Sequence, residues 1–149
     1  MDDVYRAPLR SRSDAIDQRA TLQRARRLGL CGFGQLVHNP AAEERLARRV
    51  DRFAAAEDGS FAWTRDQDGL FWLARLDGPY LRDDEDEAVA VDLVHVRPCT
   101  WLTEPLLESQ VPGAVVVTFG RGGRNFQQIH HQSVSQETQQ IWDAQQARR

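Results

Sequence analysis

The sequence predicts an α+β fold: a bent, largely antiparallel sheet or open β-barrel flanked by two or three helices. Three observations carry that expectation. Two capped helical segments occupy the first third of the chain, strand-like segments fill the centre, and turn signals rather than crossover helices join those strands. Strands that follow one another through turns pair antiparallel, and helices set apart from them pack on one face or end of the sheet.

Taken in order, "VYRAPL" has the character of a short first strand. "SRSDAIDQRATLQRARRLGL" reads as a helix, with Ser11 and Asp14 at capping-box spacing, Ser13 as an alternative cap, and Gly29 as its stop. "LCGFGQLV" follows as a strand whose glycines, Gly32 and Gly34, mark a bulge or a close approach to the backbone. The clearest helix is "NPAAEERLARRVDRFAAAEDG": Asn39 caps it, Pro40 takes the first helical position, and Leu46, Val50, Phe53 and Ala54 form the expected buried stripe. "SFAWT" and "LFWLARL", joined by "RDQDG", read as a hairpin. After the acidic loop Asp83 to Glu87, "AVAVDLVHVRPCTWL" reads as one long strand that runs at an edge or bends at Pro98. "AVVVTF" is ambiguous between strand and short helix, "NFQQIHH" is a final short strand, and the segment from Ser133 is a polar helix anchored by Ile141 and Trp142. The organisation expected is one domain over residues 1–131 and a polar C-terminal helix or tail over 132–149.

A chain of 149 residues buries roughly two-thirds of its unfolded surface in a single domain and needs no disulfide or metal to do so. The start lacks the basic-then-apolar order of a signal peptide, and no apolar run approaches membrane-spanning length. Cys31 and Cys99 therefore read as reduced thiols of a cytoplasmic protein with no membrane partner. All 19 basic residues are arginine. Fourteen of them face twelve acids in residues 1–82, whereas five face ten in residues 83–149. Arginine makes forked contacts to phosphate and stacks on rings; coding bias produces the same composition.

Several constellations bear chemistry. Arg45, Arg48, Arg49 and Arg52 share one helix face, either to track a phosphate backbone or to pair with Glu44, Asp51 and Glu57. Phe71 and Trp72 stand side by side and so face opposite sides of one strand, with Trp72 on the more apolar side. Trp63 is open between core and pocket, and Trp101 shares a polar face with His95 and Arg97. His95 and Arg97 read either a base or a phosphate, or hold a backbone carbonyl. Cys31, His38, His95 and Cys99 lack the spacing of a zinc knuckle, and "FGRGGRNF" lacks the Gly-Lys-Ser/Thr of a phosphate loop. No metal and no cofactor is expected.

The order of these motifs is familiar. "GLCGFG" after a first helix, an arginine-bearing helix, the aromatic hairpin "FAWTRDQDGLFWLARLDGPY", then "VDLVHVRPCTWL" and "FGRGGRNFQQI" resemble the PUA-like/EVE-like domains attached to Mrr- and McrB-type modification-dependent restriction proteins. The resemblance spans roughly residues 4–130, and Gln35 stands where those domains often carry Trp. It implies a PUA-like sheet that takes an extruded base into a pocket. On that reading Phe33, Gln35, Trp63 and Trp101 shape the pocket. His95, Arg97 and Asn125 supply polar edges, and Arg45, Arg49 and Arg52 hold the nucleic-acid backbone. The expected function is a non-catalytic reader of a modified, flipped base, in DNA more than RNA, serving as the sensor of a restriction or antiviral defence system. Its candidate protein partners are a nuclease or other defence subunit and a second copy of the chain. The alternative is a protein-interaction or assembly module on the same fold without a working pocket; a small enzyme using Cys31 or Cys99 with a histidine ranks third.

Overall fold

The computed structural model describes residues 2–35 and 39–148. Along the chain run β1 (Val4–Arg6), α1 (Gln18–Leu28), β2 (Leu30–Phe33), α2 (Pro40–Ala55), β3 (Phe61–Arg65), β4 (Phe71–Leu76), β5 (Leu81–Arg82), α3 (Asp86–Ala90), β6 (His95–Trp101), a 3-10 turn (Glu108–Gln110), α4 (Gly113–Gly120), β7 (Gln127–Gln128) and α5 (Val134–Ala147). The strands form one curled sheet in the order β2-β6-β4-β3-β1-β7, with β5 also on β6. β1 and β3 are parallel and every other pair is antiparallel. The sheet is a half-barrel and the class is α+β, as the segregation of strands and helices requires.

β6 lets the sheet curl. Its end at Cys99–Trp101 pairs with β4, and its start at His95–Val96 pairs with β5. Pro98, which has no N–H to donate, sits where the strand changes partner. The glycines of β2 mark close approaches, as expected. A Cβ on Gly32 would lie 1.9 Å from the His95 carbonyl oxygen, and one on Gly34 would lie 2.0 Å from the Asp92 carboxyl carbon. Gly29 ends α1 in the left-handed region at φ 67°.

Some expected boundaries move, each for a local reason. α1 begins at Gln18 with Asp17 as its cap, because the Ser11 hydroxyl is buried and donates to Asp92 at 2.6 Å. The expected long strand from the acidic run to Leu102 is broken. Arg24 gathers Asp83, Glu85 and Glu87, α3 forms over the end of the run, and Asp92 turns the chain at φ 52° before β6 starts. "AVVVTF" is helical, in α4. In α2 only Phe53 is fully buried; Leu46 and Val50 are half-buried and Ala54 is exposed, so the expected stripe is much thinner. The part of "LCGFGQLV" beyond Gln35 lies outside the described residues.

Both faces of the sheet are covered. One buries Trp72, Ala74, Leu76, Val96 and Trp101 with Leu22 and Ala25 of α1. The other buries Phe61, Trp63, Phe71 and Leu73 with Val115 and Phe119 of α4 and Val134 and Trp142 of α5. The adjacent Phe71 and Trp72 therefore fill two cores. Residues 134–147 are a helix docked on the sheet: Trp142 packs on Phe61 with ring centroids 5.8 Å apart, and the Trp63 indole Nε1 donates to Thr138 Oγ1 at 3.2 Å.

Because Trp142 is a core residue, Trp142→Ala should lower unfolding free energy by about 3–5 kcal/mol. Urea denaturation reads this as a lower midpoint at unchanged slope. A change below about 0.5 kcal/mol, the scale of a surface substitution, would mean that α5 is not part of the cooperative fold.

Candidate functional site

A chain of aromatic rings runs from the β1–β7 end of the curled sheet to its β2–β6 end by way of Phe53 on α2. Tyr5 of β1 and Phe126, just before β7, stack at 4.7 Å with planes 17° apart. Phe126 meets Phe53 of α2 edge-on at 4.8 Å, and Phe53 meets Phe33 of β2 at 5.1 Å. His95 lies beyond Phe33 at 5.7 Å and stacks on Tyr80 at 6.0 Å. The ladder builds this row: β1 pairs with β7, opposing Tyr5 to Gln128, and β2 pairs with β6, opposing Phe33 to His95. Tyr5, Phe33, Tyr80 and Phe126 are half-buried, so their rings retain solvent contact.

Tyr5 and Phe126 form part of a cleft of about 630 Å³, with Arg49 and Arg52 of α2 on one wall and Asn125 and Gln127 on the other. That volume falls in the range of small-molecule sites. A narrower cavity of about 20 Å³ adjoins it through the shared residues Arg49 and Phe126. Its lining includes Ser11, Phe33, Gly34, Gln35 and Asp92, with Arg10, Arg12 and Arg124 at its rim.

Two acids, Asp3 and Glu57, line the cleft together with Arg49 and Arg52. Among the described residues Arg10, Arg12, Arg45, Arg48, Arg49 and Arg52 make no ion pair, and the expected pairing with Glu44, Asp51 and Glu57 does not form. Burial lowers the Arg49 pKa from its usual value, and the neighbouring guanidiniums of Arg12, Arg45 and Arg52 lower it further. The acidic run is engaged elsewhere, by Arg24, whose side chain is almost wholly buried. Arg49 and Arg52 thus stand at the cleft without an ion pair among the described residues, in a chain of net charge −3.

Of the residues singled out from the sequence, the structure brings Phe33, Gln35, Asn125, Arg49 and Arg52 to this cleft and its annex. Arg45 is exposed on α2 and adds to the same positive field. Trp63 and Trp101 are corrections. Trp63 has no exposed surface and is sealed beneath α5, while Trp101 fills the concave core and donates its Nε1 to the Leu30 carbonyl at 3.1 Å. Neither indole offers a free face. Arg97 is a second correction. It is 2% exposed, and its donors go to the Gly78 carbonyl at 2.9 Å, the Phe53 carbonyl at 3.0 Å, the Ala56 carbonyl, and Asp58 at 2.8 Å. His95 is also buried. Its Nδ1 meets the Tyr80 hydroxyl at 2.7 Å, and Nε2 has no partner among the described residues.

Tyr5, Phe126, Arg10, Arg12, Arg124 and Asp92 were not singled out. "RNF" was visible, but Tyr5 becomes relevant only once β1 and β7 pair across more than 120 residues. Burial pushes the Cys31 thiol up to about 12 and raises Cys99 as well, which keeps both as inert thiols at neutral pH. Among the described residues no three metal-ligating side chains converge; His38 lies outside them.

No family model and no curated protein matches the chain. Among solved structures it is similar to the YTH domain of the Zygosaccharomyces rouxii MRB1 protein in complex with N6-methyladenosine RNA. The TM-score is 0.50 at 10% sequence identity, over 97% of this chain and 86% of that one. At that identity the likeness is one of fold, and the half-barrel is PUA-like.

Two outcomes follow from the buried groups. Arg97→Met leaves three carbonyls without their donor, and should cost about 3 kcal/mol or more in urea unfolding. Burial, the largest cause, lowers the His95 pKa below 6.5. The unfolded chain therefore binds this proton more readily. The stability due to neutral His95 is complete above the unfolded value and is lost as pH falls from about 6.5 toward the folded value. Stability profiles between pH 7.5 and 5 should show that decline, and His95→Gln should flatten it.

Proposed function

We propose that this chain is a nucleic-acid reader that holds an unstacked, modified base against the Tyr5–Phe126 pair while Arg49 and Arg52 meet the flanking phosphates. One observation carries the reading: a stacked, half-buried ring pair lines a cleft of about 630 Å³ in which Arg49 and Arg52 make no ion pair among the described residues, although Asp3 and Glu57 also line it. Taking a base out of its stack costs a few kcal/mol. Stacking on protein rings returns about 1–3 kcal/mol per base, and arginine–phosphate contacts supply salt-dependent affinity. The fold supports the reading by likeness, since the similar YTH domain was solved with N6-methyladenosine RNA.

In its finer form the ligand is a modified base in DNA, and the chain is the non-catalytic, cytoplasmic sensor of a restriction or defence system that passes the signal to a nuclease or another subunit. The resemblance in motif order favours this context. Trp142, the anchor that would have favoured an assembly module, is occupied by its own core.

The test is a titration with modified and unmodified DNA and RNA oligonucleotides at 50 and 200 mM salt, concentrations chosen to resolve counter-ion release. Binding that tightens at low salt and favours modified DNA is expected; a preference for modified RNA would retain the reader and remove the DNA context. Phe126→Ala should weaken binding about tenfold, and Arg49→Ala should reduce the salt slope by about 1. Equal, salt-insensitive, millimolar binding to every oligonucleotide rejects the proposal.

A further inference from the structure

The narrow cavity beside the cleft has an unusual floor. Asp92 is 4% exposed and sits in the left-handed region at φ 52°, where a non-glycine residue is uncommon. Its carboxylate accepts two hydrogen bonds, from the Ser11 hydroxyl at 2.6 Å and from the Gln35 backbone N–H at 3.0 Å. No arginine or histidine pairs with it among the described residues, although arginines rim the cavity above. A carboxylate offers about four acceptor sites, so among the described residues half of this one's capacity is unused. Gly34 leaves the carboxylate room, because a Cβ there would fall 2.0 Å from the Asp92 carboxyl carbon.

The space in front of Asp92 is about 20 Å³ and is bordered by Phe33 and Phe126. A cavity of this size admits about one water-sized group, which excludes a whole base but suits the tip of one. Phe126 and Arg49 border both spaces. The two spaces meet at Phe126, so a flat ring packed against it in the large cleft can direct one edge into the small one. Only a hydrogen-bond donor is satisfied there. An exocyclic amino group, as on adenine or cytosine, donates to a carboxylate, whereas the carbonyl of thymine or uracil at the same place meets it with repulsion.

We infer that Asp92 is the specificity-determining residue of the cleft and selects bases that present an exocyclic N–H. The inference deepens the reader proposal and rests on it. A singly methylated amino group keeps one N–H and remains a ligand; a dimethylated one has none and is refused.

The experiment uses the full chain and one oligonucleotide backbone with a single variable position, carrying adenine, N6-methyladenine, N6,N6-dimethyladenine, cytosine or thymine. Adenine, N6-methyladenine and cytosine should bind about tenfold more tightly than thymine and dimethyladenine, the scale of one hydrogen bond to a charged group. Asp92→Asn preserves shape and should bring that ratio close to one, a readout that a merely structural carboxylate does not move. If Asp92→Asn does not fold, the monomethyl-to-dimethyl and adenine-to-thymine ratios on the unmodified chain decide the matter. Salt-dependent binding without discrimination, or an Asp92→Asn protein that keeps the ratio, overturns this inference alone. Absence of salt-dependent binding to any of the five overturns the reader proposal and this inference with it.

Discussion

The guanidinium of Arg97 fastens α2 to the sheet, and the cleft depends on that attachment. α2 buries little apolar surface beyond Phe53, too little to fix a helix of 16 residues by hydrophobic contact alone. Arg97 reaches from β6 to the Phe53 and Ala56 carbonyls at the end of that helix, to Asp58 just past it, and to Gly78 after β4. Arginine suits this position because its rigid fork serves several acceptors and retains its charge when buried. Held in this way, α2 presents Arg49 and Arg52 over the stacked rings of Tyr5 and Phe126.

A second buried arginine frames the opposite wall. Arg6 of β1 donates to the Thr118 carbonyl at 3.0 Å, the Gly122 carbonyl at 2.7 Å and the Gln127 side chain at 3.0 Å. It thereby ties the end of α4 and the glycine turn to β7, which Phe126 precedes. Burial lowers its pKa, a cost offset by the carbonyl oxygens it satisfies. The all-arginine composition thus serves two ends. Some guanidiniums are spent inside as multi-acceptor clamps, and others, Arg49 and Arg52, stand at the cleft without an ion pair among the described residues.

What was legible in the sequence follows from the range of each signal. Caps, turns and periodicity are local, and they placed α2 with its Asn39 cap, the β3–β4 hairpin, the stop at Gly29 and the special position of Pro98, where β6 changes partner. Long-range effects were not legible. Arg24 drawing three acids together turned part of an expected strand into α3. The pairing of β1 with β7 made Tyr5 and Phe126 neighbours. Alternation along a strand separates its two faces but does not say which face a helix will cover. Trp63 and Trp101 were therefore legible as large rings, but not as rings closed off by α5 and by the curl of the sheet. Arg97 was visible as a polar group on a strand, and only the return of α2 and Gly78 to it determined its role.

The register of β1 against β7 also governs when the cleft comes into being. Its two stacked rings are separated by more than 120 residues, and β1 lies between β3 and β7. On the ribosome the first strand must wait until the segment carrying Phe126, more than 120 residues later, has emerged before that wall exists. Synthesis is slow beside the closing of short local contacts, so the nascent protein passes through a stage with its hairpin assembled and its ligand surface absent. A product terminated before Phe126 would lack the cleft as well as the β1–β7 pairing that holds this end of the sheet.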